Sequence, residues 1–91
     1  MEMMTYELIP LAEQHSKTFK GLAIVKELGH RRSLYSQGYH VCTVGLLDKE
    51  IHYLGGTWNK HTKWHLVAFI NTFSKHKVNT VTLDRLRKDE E

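Results

Sequence analysis

The chain predicts an α+β fold: an antiparallel sheet of about four strands covered by one amphipathic helix, with a short helical turn at the C-terminus. Three observations carry that expectation. Glycine-punctuated segments with partly alternating apolar residues fill the front half. After Gly55-Gly56 the apolar period lengthens from two to about three and a half. At 91 residues the chain has room for a single core.

The elements follow in order. Tyr6-Glu7-Leu8-Ile9 reads as an edge strand that stops at Pro10, which cannot donate to a ladder. Phe19 to Leu28 is the first full strand, with Leu22, Ile24 and Lys26 on one side and Ala23, Val25 and Glu27 on the other. Gly29 favours a turn with His30 and Arg31 at its tip. Ser33 to Ser36 and Tyr39 to Leu46 follow as strands separated by Gln37-Gly38, and Asp48-Lys49 turns the chain into Glu50 to Leu54. Strands joined so briefly pair antiparallel, and a four-stranded meander is the simplest result. Thr57 or Asn59 is placed to cap a helix from Lys60 to Lys75, on which Leu66, Phe69, Ile70 and Phe73 form the core-facing stripe. Val78 to Thr82 reads as a short strand or an extended return, and Thr82 as the cap of a last turn through Leu83 and Leu86. The whole is one domain over residues 1–91, with an ordered core at 6–86 and a frayed tail at 87–91.

Composition narrows the class. With 41% hydrophobic and 25% charged residues the chain is neither disordered nor fibrous in type. Its longest apolar runs, such as Val67 to Ile70, fall far short of the ~18–20 residues of a membrane span. Met1 to Thr5 carries Glu2 and lacks the basic-then-apolar order of a signal peptide, so cytoplasmic residence is expected. One cysteine, Cys42, fits a reducing compartment.

Charge is unevenly spread. Residues 1–30 carry three Lys against four Glu, residues 31–77 seven Lys or Arg against Asp48 and Glu50, and residues 78–91 three basic against four acidic groups. From Ile51 to Lys77 there is no acid, while Lys60, Lys63, Lys75 and Lys77 are joined by His52, His61, His65 and His76. An acidic partner, nucleic acid or protein, is drawn to such a stretch.

Four constellations are candidates for chemistry. His61 and His65 stand four apart, the helical spacing that turns two imidazoles to one side, with His52 and Cys42 the candidates to complete a structural zinc site. A hydrolytic His-Glu-x-x-His site would need Glu where Thr62 stands, so no metal or other cofactor is expected. Cys42 lies between Val41 and Thr43 in an apolar strand, where cysteine behaves as a small hydrophobe and not as a nucleophile. Gly55-Gly56-Thr57 lacks the rest of a phosphate-binding loop and reads as a strand-to-helix turn. The fourth is the helix's outer side. Lys60, Trp64, Ala68, Asn71 and Lys75 are expected opposite Leu66 and Phe69, which puts an indole among lysines. Tryptophan is enriched at binding hot spots, and an aromatic flanked by cations also stacks on an unpaired base. Lys60, Lys63, Trp64, Asn71 and Lys75 are therefore the candidate partner-binding residues. Cover by a neighbouring loop or a homodimer contact would account for Trp64 equally.

Several of these residues also carry a resemblance. Tyr6-Glu-Leu-Ile-Pro10, Lys17-Thr-Phe-Lys-Gly-Leu-Ala-Ile-Val25, Leu34-Tyr-Ser with Val41, and Trp58 with Thr62-x-x-His65-x-x-x-Phe69 resemble a family of small uncharacterised proteins from phages and mobile elements of Gram-positive bacteria. The likeness covers about residues 6–73. It implies a genomic setting and a sheet-plus-helix fold, and no mechanism. Asn59-Lys60-His61 departs from the family's Ser-Ala-Thr-like helix start, so no function at the helix N-terminus is carried over. With that setting, the expected function is that of a non-enzymatic binding protein whose partner is a host protein or nucleoprotein complex, such as a CRISPR or restriction nuclease held inhibited. The alternative is a regulatory protein that binds nucleic acid directly through the basic helix face.

Overall fold

Short turns of defined hand set the architecture of the computed structural model, which describes residues 3–9 and 21–90, the side chains of 87–90 excepted. Gln37 and Gly38 both have positive φ, at 54° and 89°, the backbone of a two-residue turn whose twist matches that of the strands it joins. Gly29, with φ 64°, begins an equally short connection. Such turns leave their flanking strands no choice but to pair with each other.

The result is a five-stranded antiparallel meander in the order β1 (Met4–Glu7), β2 (Ala23–Leu28), β3 (Arg31–Ser36), β4 (Tyr39–Gly45) and β5 (Ile51–Leu54). The four-strand expectation is short by one, because the N-terminal segment pairs fully with β2, Tyr6 opposite Val25. β1 begins earlier than the Tyr6–Ile9 expectation, and β2 begins at Ala23; Phe19 and Lys20 lie outside the described residues. Two irregularities modify the alternation. Leu34 pairs with Cys42 but Tyr35 with His40, so Val41 is an extra residue on β4, and Val41 and Cys42 are both buried. His52 is similarly extra on β5, between the pairs Thr43–Tyr53 and Val44–Ile51.

One sheet face receives helix α1 (Lys60–Phe73). Asn59 is the cap, its Oδ1 accepting from the Thr62 amide at 2.9 Å, while Ser74 closes the far end through its amide to the Ile70 carbonyl. The helix thus stops two residues before Lys75. His65 through Ile70 are all buried, more than a full turn, so the helix is more than a one-sided lid. Ala68, expected on the outer side, is fully buried. The reason is α2 (Thr80–Glu90), which replaces the expected single turn: it packs on α1 through the buried Leu83, with Leu86 and Val78 against the same core. Asn79, not Thr82, caps α2, accepting from the amides of Val81 and Thr82 at 2.9 Å each. Among the described residues no helix is long and apolar enough to cross a membrane.

Polar groups inside the core are paired. His65 is fully buried and its Nδ1 lies 2.8 Å from Ser36 Oγ, which in turn reaches Thr62 Oγ1 at 3.3 Å; Thr62 Oγ1 donates to Asn59 Oδ1 at 3.1 Å. With His65 Nδ1–H donating to Ser36, each hydroxyl in this chain donates once and accepts once. At the sheet's other end the Tyr6 hydroxyl donates to Glu27, Arg32 pairs with the same carboxylate at 2.9 Å, and the guanidinium stacks 4.1 Å over the Phe73 ring.

Two stability results are expected. Phe69 is fully buried, and Phe69→Ala should cost about 3–5 kcal/mol; Ser36→Ala, which removes the hydroxyl that the buried His65 and Thr62 share, should cost about 1–3 kcal/mol, both read from urea melts. Burial and the hydrogen bond to Glu27 push the Tyr6 hydroxyl up to about 12, while that bond and Arg32 hold Glu27 below its usual range. The folded state keeps the Tyr6 proton when the unfolded chain, near 10, has lost it, so stability should fall between about pH 10 and 12. Glu27 acts at the opposite end, its contribution being lost as pH drops through its depressed value. Melting temperatures of wild type and Tyr6→Phe across the alkaline range should diverge below pH 10 and converge above it.

Candidate binding site

The residues singled out on the helix do not form one surface. Lys60, Lys63 and Trp64 come together with Trp58, Asn59 and Thr80 around an open cleft of about 420 Å³ at the start of α1. Asn71 and Lys75 do not join them. Asn71 lies eleven residues further on, about 16 Å along the axis, and its amide is spent on the backbone of Val78, donating to the carbonyl at 2.8 Å and accepting from the N–H at 2.7 Å. Lys75 lies past the helix and pairs with Glu50, beside the Lys75 amide bond to the Lys49 carbonyl. Their visible work is to hold the linker and the β4–β5 turn.

The cleft is built from the chain upward. Gly55 ends β5, and its carbonyl accepts the Trp58 Nε1–H at 2.7 Å, which seats that indole at one wall. Asn59 then caps the helix and exchanges two 3.1 Å amide hydrogen bonds with Gln37, so the helix start is tied to the β3–β4 turn. Lys60 and Trp64 follow at the i, i+4 spacing that makes helical side chains neighbours, and the Lys60 ammonium stands 5.1 Å above the Trp64 ring. Trp64 is half-buried: its inner part packs against the core while His61 stacks on it at 6.0 Å. The expectation of an indole standing wholly among lysines therefore holds for one part of the ring only. Lys63 reaches across to Asp84 of α2 at 3.1 Å, an exposed pair that a stronger anion can displace.

The remaining constellations are separated by the fold. His61 is exposed and stacked on Trp64 while His65 lies in the core bonded to Ser36, so the two imidazoles do not converge. His52 pairs with Asp48 at 3.0 Å at the opposite end of the sheet, and Cys42 is fully buried. Gly55-Gly56-Thr57 is the strand-to-helix turn, Gly56 having φ 82°. A second, smaller cleft of about 270 Å³ lies at that opposite end, lined by His30, Arg31, Gly45, Leu47, Asp48 and His52. A Cβ on Gly45 would stand 2.0 Å from Asp48 Oδ1 and 2.9 Å from His52 Nε2, so a side chain there would have to push the Asp48–His52 pair aside.

One arrangement was not legible as a motif. On the sheet face away from α1, Tyr35 of β3, His40 of β4 and Tyr53 of β5 stack in a row, with centroids 5.1 and 4.7 Å apart, and the Lys26 ammonium of β2 caps it 4.5 Å over Tyr35. These residues are distant in sequence, and the pairing of Tyr35 with His40 depends on the extra residue in β4. Burial lowers the pKa of His40 below the usual histidine value, which favours the neutral ring at pH 7.

The exposure of the Lys63–Asp84 pair sets its strength. A double-mutant cycle with Lys63→Ala and Asp84→Ala should return a coupling of about 0.2–1 kcal/mol, so removing Asp84 frees the lysine with little cost to the fold. Comparison of the chain with protein-family models, with curated proteins and with solved structures gives no significant match.

Proposed function

We propose that the protein is a non-enzymatic binding protein of phage or mobile-element type that acts in the cytoplasm by occupying an anionic surface of a host defence nuclease, a CRISPR effector or a restriction enzyme. The observation that carries this reading is the cleft itself: two indoles and two lysines gathered at the start of one helix, inside a 27-residue stretch, Ile51 to Lys77, that contains no acid. Aromatic side chains that are partly packed and partly exposed supply binding area with little ordering cost, and lysines around them supply attraction to an anionic partner. Nucleases that hold guide or substrate strands expose both phosphates and the acidic groups of their catalytic centres. The phage setting comes from the resemblance of the Leu34-Tyr-Ser and Thr62-x-x-His65-x-x-x-Phe69 segments, and the choice of a defence nuclease from that setting.

The test is a cleavage assay with purified nucleases: a guide-loaded type II CRISPR effector from a Gram-positive host and a restriction endonuclease, each titrated with the protein. Inhibition of at least one is expected at stoichiometric protein, with Lys60→Glu and Trp64→Ala weakening it at least 10-fold while both variants keep a cooperative melt. Cleavage that proceeds unchanged with both enzymes, or inhibition indifferent to the two substitutions, overturns the reading.

A further inference from the structure

The cleft and the stacked row on the sheet are connected through one residue. Tyr53 ends the row on the edge strand β5 and is 42% exposed. Its hydroxyl lies 2.8 Å from where a Cβ on Gly55 would be, so the phenol rests on that glycine, and the Gly55 carbonyl on its other side holds Trp58 of the cleft. Two aromatic groups, the Tyr35–His40–Tyr53 row on the sheet and the indoles of the cleft, therefore meet at Gly55, with a cation on each, Lys26 over Tyr35 and Lys60 over Trp64.

The ring geometry says where a ligand would add. Centroids 4.7–5.1 Å apart with planes 23–28° from parallel describe offset stacking, each ring leaning on the next like steps. Lys26 closes the first step. The last, Tyr53, has no further ring beyond it among the described residues, and a planar group is what the stack would take next. We infer that the anionic component recognised by this protein is an unpaired nucleic-acid strand that crosses the β5 edge, one base lodged in the Trp58–Trp64 cleft and a neighbouring base stacked on Tyr53, its phosphates met by Lys60 and Lys63.

Chemistry selects nucleic acid over an acidic peptide. A peptide carboxylate needs only the lysines, and it would leave the ring path without a role. Every base has a π-face, and alternating aromatic surfaces and cations along a path is how proteins hold single strands without reading sequence. Asp84 opposes this by holding Lys63, and a phosphate must displace it. The open cleft of about 420 Å³ has room for one extruded base.

This inference rests on the proposed function for its biological setting, and the two are tested apart. Fluorescence anisotropy with labelled 12-nucleotide single-stranded DNA and RNA should show binding at 50 mM salt whose logarithm falls with log salt at a slope of about −1.4, as counterion release at the two lysine contacts requires. Tyr53→Ala and Trp64→Ala should each weaken binding about 5- to 100-fold, and Tyr53→Phe should retain it. The strand should also quench the intrinsic fluorescence of Trp58 and Trp64. Melts of each variant check folding, and Tyr53→Phe keeps the test sound if Tyr53→Ala is unstable. Absence of binding at 50 mM salt, equal binding by the folded alanine variants, or displacement of the strand by poly-glutamate at equal charge concentration overturns the inference. Nuclease inhibition that persists in the absence of strand binding would leave the proposed function standing and assign the cleft to a protein surface; loss of inhibition with strand binding intact would do the reverse.

Discussion

The hydrogen-bond chain from His65 through Ser36 and Thr62 to Asn59, and on to Gln37, is the constraint on which the rest of the molecule depends. It joins the second turn of α1, the last residue of β3 and the β3–β4 turn, three places where the chain would otherwise be free to slide. Apolar contact between Leu34, Leu66, Phe69 and Ile70 holds the helix on the sheet, but apolar contact is tolerant of shifts in register. Buried donors are not. Moving α1 by one residue would leave an imidazole and two hydroxyls unpaired in the core, and each orphan costs about 1–3 kcal/mol. Among the described residues every buried side-chain nitrogen and oxygen has a partner, so the arrangement is satisfied in one register only.

That register places the candidate site. Asn59 serves at once as helix cap, end of the buried chain and partner of Gln37, so Lys60, Lys63 and Trp64 leave the helix in directions set by the core. α2 supplies the other side of the cleft through Thr80 and Asp84, and its own position is set by Leu83 in the core and by Asn71 gripping Val78. Asn71, a candidate partner contact by sequence, grips the Val78 backbone and so helps to keep α2 beside the cleft. The cluster of Tyr6, Glu27, Arg32 and Phe73 does a comparable service at the far end, covering the core with a charged pair that burial alone would make unfavourable.

The fold class, the antiparallel meander apart from its fifth strand, a helix cap at Thr57 or Asn59 and the core role of Phe69 were all legible, because each depends on neighbours in the chain: a turn residue, a period, a side chain one turn away. What was not legible depends on partners far along it. Helical phase put Ala68 outside, and only the docking of α2 through Leu83 buries it. The length of α2 was missed because Arg85, Arg87 and Lys88 leave little apolar stripe beyond Leu83 and Leu86, so its stability is a tertiary matter and not a propensity. Lys60, Lys63 and Trp64 were found together because they lie within five residues, whereas Trp58 and Thr80 were not associated with them. The row of Tyr35, His40 and Tyr53 had no signal at all in one dimension, since one extra residue in β4 decides which rings meet.

That extra residue links fold to function more closely than any motif does. Without it, strict alternation from the Leu34–Cys42 pair would set Val41, and not His40, opposite Tyr35, and the row would lose its middle ring. With it, Val41 turns to the core, where its Cγ1 also lies 3.3 Å from the position of a Cβ on Gly56, and His40 takes its place between two tyrosines. The irregularity therefore supports the sheet-to-helix turn from below while it assembles the ring stack on the opposite face. A single departure from regular pairing at Val41 thus positions both halves of the aromatic path, the part that lies on the sheet and the part that enters the cleft.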